Sequence, residues 1–600
     1  MLNLRFSTTA GKVAISCSEE RSDALQVLRR HFHSATSLNN IEFETELDDF
    51  LVNLRQLAAW AEFDTDFRWQ DELVKLVESN AHDAGVLEAA LSKGIQPSID
   101  IDIVENGSWN APLTGFQRTN IAKLLSMEHG ANFSVPGAGK TRVTLAVFHA
   151  RRAAGAVSRM LVVCPKAAFE SWENEARECF KVTPVHVAVM DTGAPPPGDI
   201  ILVNYERLPI ARAALINWLR LQPALLVLDE AHRMKLGPSG AWGAACLSLG
   251  PYAANRMILT GTPAPNGAKD LENLFTFVWP GQGRRTVANA LAANDLAAAS
   301  RQLRPLFCRT TKSDLCLPPV EVAVRRISLP PLHRELYNAL LGQLSGKWRG
   351  GEADMEELGK IMLYLLMAAT TPALLATGAS RHEPLPFRVP PISPPTGSSL
   401  GELMKDLPQY ELSPKYMEVL KIVSENAAEG RKTLVWSTFV RNLKTLESLL
   451  SRFGPALVHG GSLDRAEQLH RFRTDPRCFV LLSNPATLGE GVSLHHECHD
   501  AVYVDRDFSA GRYLQSLDRI HRLGLKPGTR TRIHVLVAEE TIDELIEQRL
   551  ATKLQFMGGV LDDPAVTELA DLVEEPSETI GMDSRDRQEL LRYLSVHAAV

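Results

Sequence analysis

The 600-residue sequence predicts an α/β protein: two tandem doubly wound parallel-sheet lobes, with a helical insertion and a small N-terminal module. Three observations predict it. Short apolar runs alternate with helical stretches from about 110 to 318, and the alternation returns from about 413 to 555, the pattern of buried parallel strands packed on both faces. A glycine-rich turn, Val135-Pro136-Gly137-Ala138-Gly139-Lys140-Thr141, stands between a strand candidate and a helix candidate. A carboxylate pair, Asp229-Glu230, closes the apolar run Ala224–Leu228.

Residues 1–105 read as a separate N-terminal accessory module. Leu4-Arg5-Phe6 and Val13-Ala14-Ile15-Ser16 are expected to pair as a hairpin, and amphipathic stretches such as Asp49–Arg55 follow. Nothing in the module carries recognisable chemistry. Residues 106–330 form the first lobe, with strands expected at 131–135, 159–163, 200–203, 224–228 and 256–259. Residues 331–412 are a helical protrusion and linker. Helices are expected over 333–378, and six prolines between 384 and 395 mark a linker or mobile loop. Residues 413–558 form the second lobe, with strands at 433–437, 479–482 and 501–504. Residues 559–600 form a tail that is acidic: ten Asp or Glu against two Arg between 561 and 590, which reads as a solvated end, an autoinhibitory segment or a partner dock.

Composition narrows the setting. At 45% hydrophobic and 22% charged the chain is ordinary for a globular protein. No apolar run reaches the length of a membrane span, and the first residues lack the apolar core of a secretory signal. The eight cysteines are scattered without CxxC spacing, which predicts reduced thiols and a cytoplasmic location. A net charge of −7 gives no global basic balance, which leaves room for one basic groove.

Each motif has a chemical reason. A glycine turn at a helix start lets backbone N–H groups wrap a phosphate; Lys140 would neutralise the β- and γ-phosphates of ATP and Thr141 would hold Mg2+. Asp229, at a strand end, would hold magnesium through water, and Glu230 would orient or deprotonate the attacking water. Arg519 and Arg522 lie three apart on an expected helix, so both project from one face. In company with the first-lobe motifs they read as cations for the transferring phosphoryl; alone they would read as a solvated face. His495-His496-Glu497-Cys498-His499 has metal-ligand residue types, but adjacent residues rarely converge on one ion and no partner pair exists, so it reads as a loop. Lys347-Trp348-Arg349 interleaves a stacking ring with two cations and reads either as a DNA contact or as a solvated face with a half-buried ring.

This set resembles the superfamily-two helicases, and within them the Swi/Snf-type DNA translocases, over roughly residues 110–550. The resemblance implies two RecA-like lobes, and it assigns roles residue by residue. Gln117 resembles the adenine-reading glutamine, beside the ATP-binding Gly137, Ala138, Gly139, Lys140 and Thr141. Val163-Cys164-Pro165-Lys166 through Trp172-Glu173-Asn174-Glu175 resembles the first nucleic-acid motif, and Leu259-Thr260-Gly261-Thr262-Pro263 the family's coupling form. Arg309-Thr310-Thr311-Lys312 resembles the segment leaving lobe one, and Gln515-Ser516-Leu517-Asp518-Arg519-Ile520-His521-Arg522 the lobe-two signature. Catalytic candidates are thus Lys140, Asp229, Glu230, Gln515, Arg519 and Arg522; coupling candidates are Thr260, Thr262 and Gly491. DNA-contact candidates are Pro165, Lys166, Arg309, Lys312, Lys347, Trp348, Arg349 and Ser437. Ser134-Val135-Pro136, Leu525 and the stretch 483–494 depart from the family pattern and point to a divergent bacterial branch, with protein partners expected in a system such as antiviral defence. The implied activity is ATP-driven translocation along double-stranded DNA. The alternatives are a strand-separating RNA or DNA helicase and an ATP-gated scaffold or sensor in a larger assembly.

Overall fold

The computed structural model describes the chain except residues 10, 63–65, 94–108, 181–183, 235, 262, 264–267, 294, 312–313, 316, 319, 349–354, 381–388, 408–411, 489–491, 493, 509, 523–524, 527, 562–583 and 598–600. It divides into two compact units, Met1–Asp314 with Gly559–Asp563, and Leu315–Gly558 with Pro564–Val600.

The first unit opens with a five-stranded sheet: β1 (Leu2–Phe6), β2 (Lys12–Ser16), β3 (Thr36–Asn39), β4 (Glu42–Glu46) and β5 (Phe67–Trp69), in the order β3-β4-β2-β1-β5. The expected hairpin is present, with Leu4 opposite Ile15 and Phe6 opposite Val13. Alternating apolar residues on one face of β1 and β2 pack with Phe43, Phe50 and Trp60 into a core.

The first lobe follows in the same unit: β6 (Gly130–Asn132), β7 (Arg159–Val163), β8 (Val187–Val189), β9 (Ile200–Val203), β10 (Ala224–Asp229), β11 (Asn255–Leu259) and β12 (Phe307–Cys308). All pair in parallel, in the order β12-β6-β11-β10-β7-β9-β8. Met160–Val163, Ile200–Val203 and Ala224–Leu228 are buried throughout, which is why they read as continuous apolar runs rather than alternations. The strand expected at 131–135 stops at Asn132. Beyond it the Phe133 and Val135 N–H groups donate to the Cys308 and Thr310 carbonyls, and the chain leaves the β11 edge for the segment after β12.

The second unit carries β13 (Val320–Ile327), β14 (Lys432–Trp436), β15 (Ala456–Val458), β16 (Val480–Ser483), β17 (Cys498–Tyr503) and β18 (Thr531–Ala538), again all parallel, in the order β13-β18-β17-β14-β16-β15.

Four sequence expectations are corrected. First, the lobe boundary expected at 330 falls at 314/315, because β13 pairs with β18 along its whole length. Second, the helices Pro331–Trp348, Met355–Thr370 and Ala373–Thr377 belong to the second unit and are no insertion of the first lobe. The buried Tyr337 hydroxyl accepts the Ile542 N–H at 2.8 Å, and Ser413 Oγ donates to the Thr370 carbonyl. Third, the described part of the proline segment is pinned: Val389 is buried, its carbonyl accepts the Ala379 N–H, and Tyr364 Oη donates to the Pro390 carbonyl at 2.8 Å. Residues 381–388 lie outside the described residues. Fourth, the described C-terminal stretch 584–597 is no solvated end, while residues 562–583, which hold most of the acidic charge, lie outside the described residues. The helix Ser584–His597 buries Leu590 and Leu594, and its fully buried Asp586 is held at 2.6 Å by both Arg549 and Lys553.

The N-terminal sheet is likewise no detached module. Its helix Asp71–Lys93 drives a buried charge cluster into the first lobe: Asp83 pairs with Arg256 of β11 and accepts from His129 Nε2 at 3.0 Å. Asn80 Nδ2 donates to the Pro280 carbonyl at 2.7 Å, and Asp48 Oδ1 accepts the Gly281 N–H at 2.6 Å. Gly281 has φ +78°, and a Cβ there would lie 2.9 Å from Leu51 Cβ, so the turn under Asp48 requires glycine. Burial and the Arg256 charge push His129 down to about 3, so its ring is neutral. Burial raises the Asp83 carboxyl, but the His129 hydrogen bond and the Arg256 charge outweigh this and hold it low.

Asp83→Ala leaves the Arg256 guanidinium buried without its carboxylate. A loss of about 3–5 kcal/mol is expected in urea unfolding, against less than about 0.5 kcal/mol for removing the exposed Arg592–Glu589 pair. Asp48 behaves in the opposite sense with pH. Burial raises its carboxyl to about 6, so the folded protein binds a proton that the unfolded chain has released. Stability from this group falls as pH rises from about 4 to 6, and Asp48→Asn, which keeps an acceptor for Gly281, is expected to flatten that slope in melts across the range.

Candidate nucleotide-binding and coupling site

The first-lobe motifs meet because three neighbouring parallel strands end together. Asp229 of β10 is opposite Leu259 of β11, and Leu259 is opposite Asn132 of β6. The loops leaving these strands carry the phosphate-loop sequence, Thr260 and Glu230, so all three open from one carboxyl edge of the sheet. The contact is close: a Cβ on Gly261 would stand 2.9 Å from Pro136 Cδ.

Gly137 and Gly139 take φ +85° and +77°, the left-handed region that curls backbone N–H groups inward. Lys140 starts the helix Lys140–Ala153, with Thr141 next and Ala138 buried beneath the loop. Lys140 Nζ donates to the Ser134 carbonyl at 2.9 Å, which holds the ammonium across the loop. Gln117 is buried against the same turn. Its Oε1 accepts the Thr114 N–H at 3.0 Å and caps the helix Gly115–Leu125, while its Nε2 reaches the Ala138 carbonyl at 3.4 Å. A side chain on Gly139 would meet that amide at 2.3 Å, so Gln117 and the glycine turn are fitted to each other.

Asp229 is fixed at both oxygens: Oδ2 accepts Trp172 Nε1–H at 2.8 Å and Oδ1 accepts the Glu230 N–H at 2.9 Å. Tyr205 Oη donates to the Asp229 carbonyl at 2.8 Å. Burial pushes the Asp229 carboxyl up, opposed by the Trp172 hydrogen bond and the Lys140 charge. Glu230 has φ +49°, a left-handed conformation that a non-glycine residue holds at a cost of order 1–3 kcal/mol. The turn aims its carboxylate at His232, whose Nδ1 lies 3.4 Å from Glu230 Oε2 and 3.2 Å from Thr260 Oγ1. His232 and Thr260 are both buried, so a buried imidazole joins the carboxylate to the loop after β11. Thr262 lies outside the described residues.

In the second unit the helix Ala510–Leu517 stops before either arginine, which corrects the expectation of one shared helical face. Residues 518–520 form a turn. Arg519 is buried and folds back: its Nε donates to the Gln515 carbonyl at 2.9 Å and its Nη1 to the Val492 carbonyl at 3.1 Å. Arg519 thereby ties the signature segment to the 492–494 stretch, whose Leu494 N–H donates to the Arg519 carbonyl. Arg522 and the Gln515 side chain are half-buried. Gly491 lies outside the described residues.

The DNA-contact candidates separate by exposure. Lys166 is exposed. Pro165, Arg309 and Ser437 are buried and present no open surface, contrary to expectation. Arg309 instead donates to the Phe133 carbonyl at 2.6 Å, bracing the entry to the phosphate loop. Ser437 donates to Asp505, whose other oxygen accepts the Thr438 N–H at 2.7 Å. Lys312 and Arg349 lie outside the described residues, as do the side chains of Lys347 and Trp348 at the end of their helix. His495–Glu497 form the turn into β17, with Cys498 its first residue. Among the described residues the cluster with metal-ligand geometry is Asp83, Glu128 and His129, where the Arg256 guanidinium already sits against Asp83.

Two family models match the chain: SNF2-related domain over residues 133–369 and helicase conserved C-terminal domain over 414–524. Together they take in the phosphate loop, Asp229-Glu230, Thr260 and the arginine segment. The chain is a Swi/Snf-type ATPase of helicase superfamily two. It is similar to the chromodomain-helicase-DNA-binding protein 1-like of Danio rerio, at 25% identity over 71% of this chain and 41% of that protein. It is also similar to the SWI/SNF-related matrix-associated actin-dependent regulator of chromatin subfamily A member 1 of Mus musculus, at 24% identity over 81% and 46%. The chain thus spans under half the length of these two relatives. A Sulfolobus solfataricus SWI2/SNF2 ATPase core solved in complex with dsDNA shares 22% identity over 79% of this chain and 98% of that one, with a TM-score of 0.33.

Trp172 is the residue of this Swi/Snf-type site whose role the sequence did not disclose: it read as part of a nucleic-acid motif, yet it is buried and orients Asp229. Trp172→Phe keeps an aromatic ring in the core, though a smaller one, and loses the hydrogen bond. Magnesium titrations of ATP turnover are expected to show roughly 10–100-fold weaker apparent metal affinity, the scale of losing a group that orients a metal ligand.

Proposed function

We propose that this ATPase drives movement along double-stranded DNA. One observation carries the reading: His232 lies within reach of both Glu230 and Thr260, so the water-activating carboxylate is tied to the loop that the resemblance assigns to coupling. A passive nucleotide binder has no use for that link. The relatives' names, which speak of DNA binding and chromatin, lend the nucleic-acid part its support.

ATP is the substrate, its phosphates on the Gly137–Thr141 turn and Lys140. The hard oxygen donors Thr141, in the first turn of the helix after the phosphate loop, and Asp229, at the end of β10, suit Mg2+, which when bound would neutralise phosphate charge. Glu230 orients the attacking water, and Arg519 and Arg522 stabilise charge on the transferring phosphoryl. For Arg519 this requires release from the Val492 carbonyl it now holds. Lys166 is the described, exposed candidate for a DNA phosphate. In this reading the motor works with protein partners in a bacterial system, antiviral defence being the setting expected from the sequence.

Arg522→Ala is expected to leave ATP affinity nearly unchanged and slow turnover by roughly 10³-fold, measured as binding and hydrolysis on one preparation. A large affinity loss with a normal maximal rate would make Arg522 structural. Duplex DNA is expected to stimulate turnover more than single-stranded RNA, with a stimulation that declines with salt as phosphate contacts are screened. Equal or greater stimulation by RNA would overturn the translocase in favour of a strand-separating helicase, and wild-type biological activity in a Glu230→Gln protein would favour a scaffold.

A further inference from the structure

The second unit contains a cavity of about 510 Å³ that no part of the ATPase chemistry uses. It lies between the short helix Ala373–Thr377, which ends the helical segment, and the helices Pro414–Ala428 and Val440–Leu449 of the second lobe. Its volume falls in the range of small-molecule sites.

The lining is two-faced. Leu374, Leu407 and Leu412 give it an apolar wall, while Arg441 and Lys444 stand three apart on one helix and bring two positive charges to the opposite side. No carboxylate lines it among the described residues. Arg441 Nε is shielded from solvent and has no hydrogen-bond partner among the described residues, an arrangement that costs free energy unless a ligand accepts from it. Thr371, Ser413 and Thr445 also line it, with the Ser413 hydroxyl donating to the Thr370 carbonyl and that of Thr445 to the Arg441 carbonyl.

We propose that this cavity binds a small phosphate-bearing molecule with an apolar body. Two adjacent cations match the charge of a phosphate monoester, and the guanidinium fork matches its oxygens. The leucine wall takes an apolar body that inorganic phosphate lacks. A polymeric nucleic-acid backbone is a poorer fit, because it needs a long basic stripe and, among the described residues, only Arg441 and Lys444 supply cations to this lining. A basic ligand is repelled by the same charges. Bound there, the molecule would join the end of the helical segment to the lobe-two helix Val440–Leu449 and stabilise that unit by mass action.

The test is calorimetric binding of phenyl phosphate and of inorganic phosphate to the full chain, in a Lys140→Ala background that weakens capture by the nucleotide loop. Phenyl phosphate is expected to bind roughly tenfold more tightly than inorganic phosphate and to raise the melting temperature. Arg441→Gln with Lys444→Gln is expected to weaken phenyl phosphate by roughly tenfold or more. Leu412→Ser, at a half-exposed wall position, is expected to remove the advantage of the ring and leave inorganic phosphate unchanged. If the double variant melts lower than its parent, Lys444→Gln alone decides, because that side chain is exposed. Unchanged affinity in the variants overturns the proposal. So does failure of phenyl phosphate to bind while a polyglutamate peptide does, or while the double variant in an otherwise wild-type chain loses duplex-stimulated turnover; those results make the cations a peptide or nucleic-acid contact.

Discussion

Leu259 is paired with Asp229 on one side and with Asn132 on the other, and this double register decides where the chemistry of the first unit lies. Parallel pairing sets the ends of β6, β11 and β10 level, so the loops that follow them emerge side by side. A slip of one residue in any of the three would turn its side chains to the opposite face and shift its loop by about 3.3 Å. The buried apolar residues of β10 and β11 oppose that slip, and the ion pair of Arg256 with Asp83 also holds β11 in place. The left-handed Glu230, the buried His232 and the Gln117–Gly139 fit are refinements that this alignment makes geometrically available.

Much of this was legible in the residues. Runs such as Met160–Val163 and Ala224–Leu228 are long enough, and apolar enough, that a buried parallel strand is the simplest reading, and the structure places strands there. The glycine turn and the Asp-Glu pair announce themselves because their chemistry permits few residue types. What stayed hidden depends on contacts remote in sequence. Nothing local in Val320–Ile327 says which sheet it joins; its partner β18 is about two hundred residues away. Arg309 and Ser437 are DNA-contact candidates by resemblance, and Trp172 belongs to the ending of a nucleic-acid motif, yet each is turned inward by a hydrogen bond to a partner in another element. A motif specifies residue type and spacing, not the direction of a side chain. The arginine segment shows the same limit: a spacing of three implies one helical face only while the helix lasts, and here it ends at Leu517.

The N-terminal sheet shows how a segment without catalytic residues can still bear on the site. Arg256 sits in β11, three residues before Leu259, and its guanidinium is shared among Asp83, the Val278 carbonyl and the Gly250 carbonyl. The strand that delivers Thr260 is therefore clamped at its other end by a helix from residues 71–93. The sequence places Arg256 in an expected strand but gives no sign that Asp83 pairs with it, because that pairing exists only when the two elements meet.

The helix Ser584–His597 bears on the second unit through one carboxylate. Asp586 is fully buried and held at 2.6 Å by both Arg549 and Lys553 of the helix Ile542–Leu561. Cutting the chain ahead of residue 584 would take that carboxylate away from two cations, a loss that a surface segment would not cause. A protease that trims this end therefore acts on the stability of the unit that carries the arginine segment.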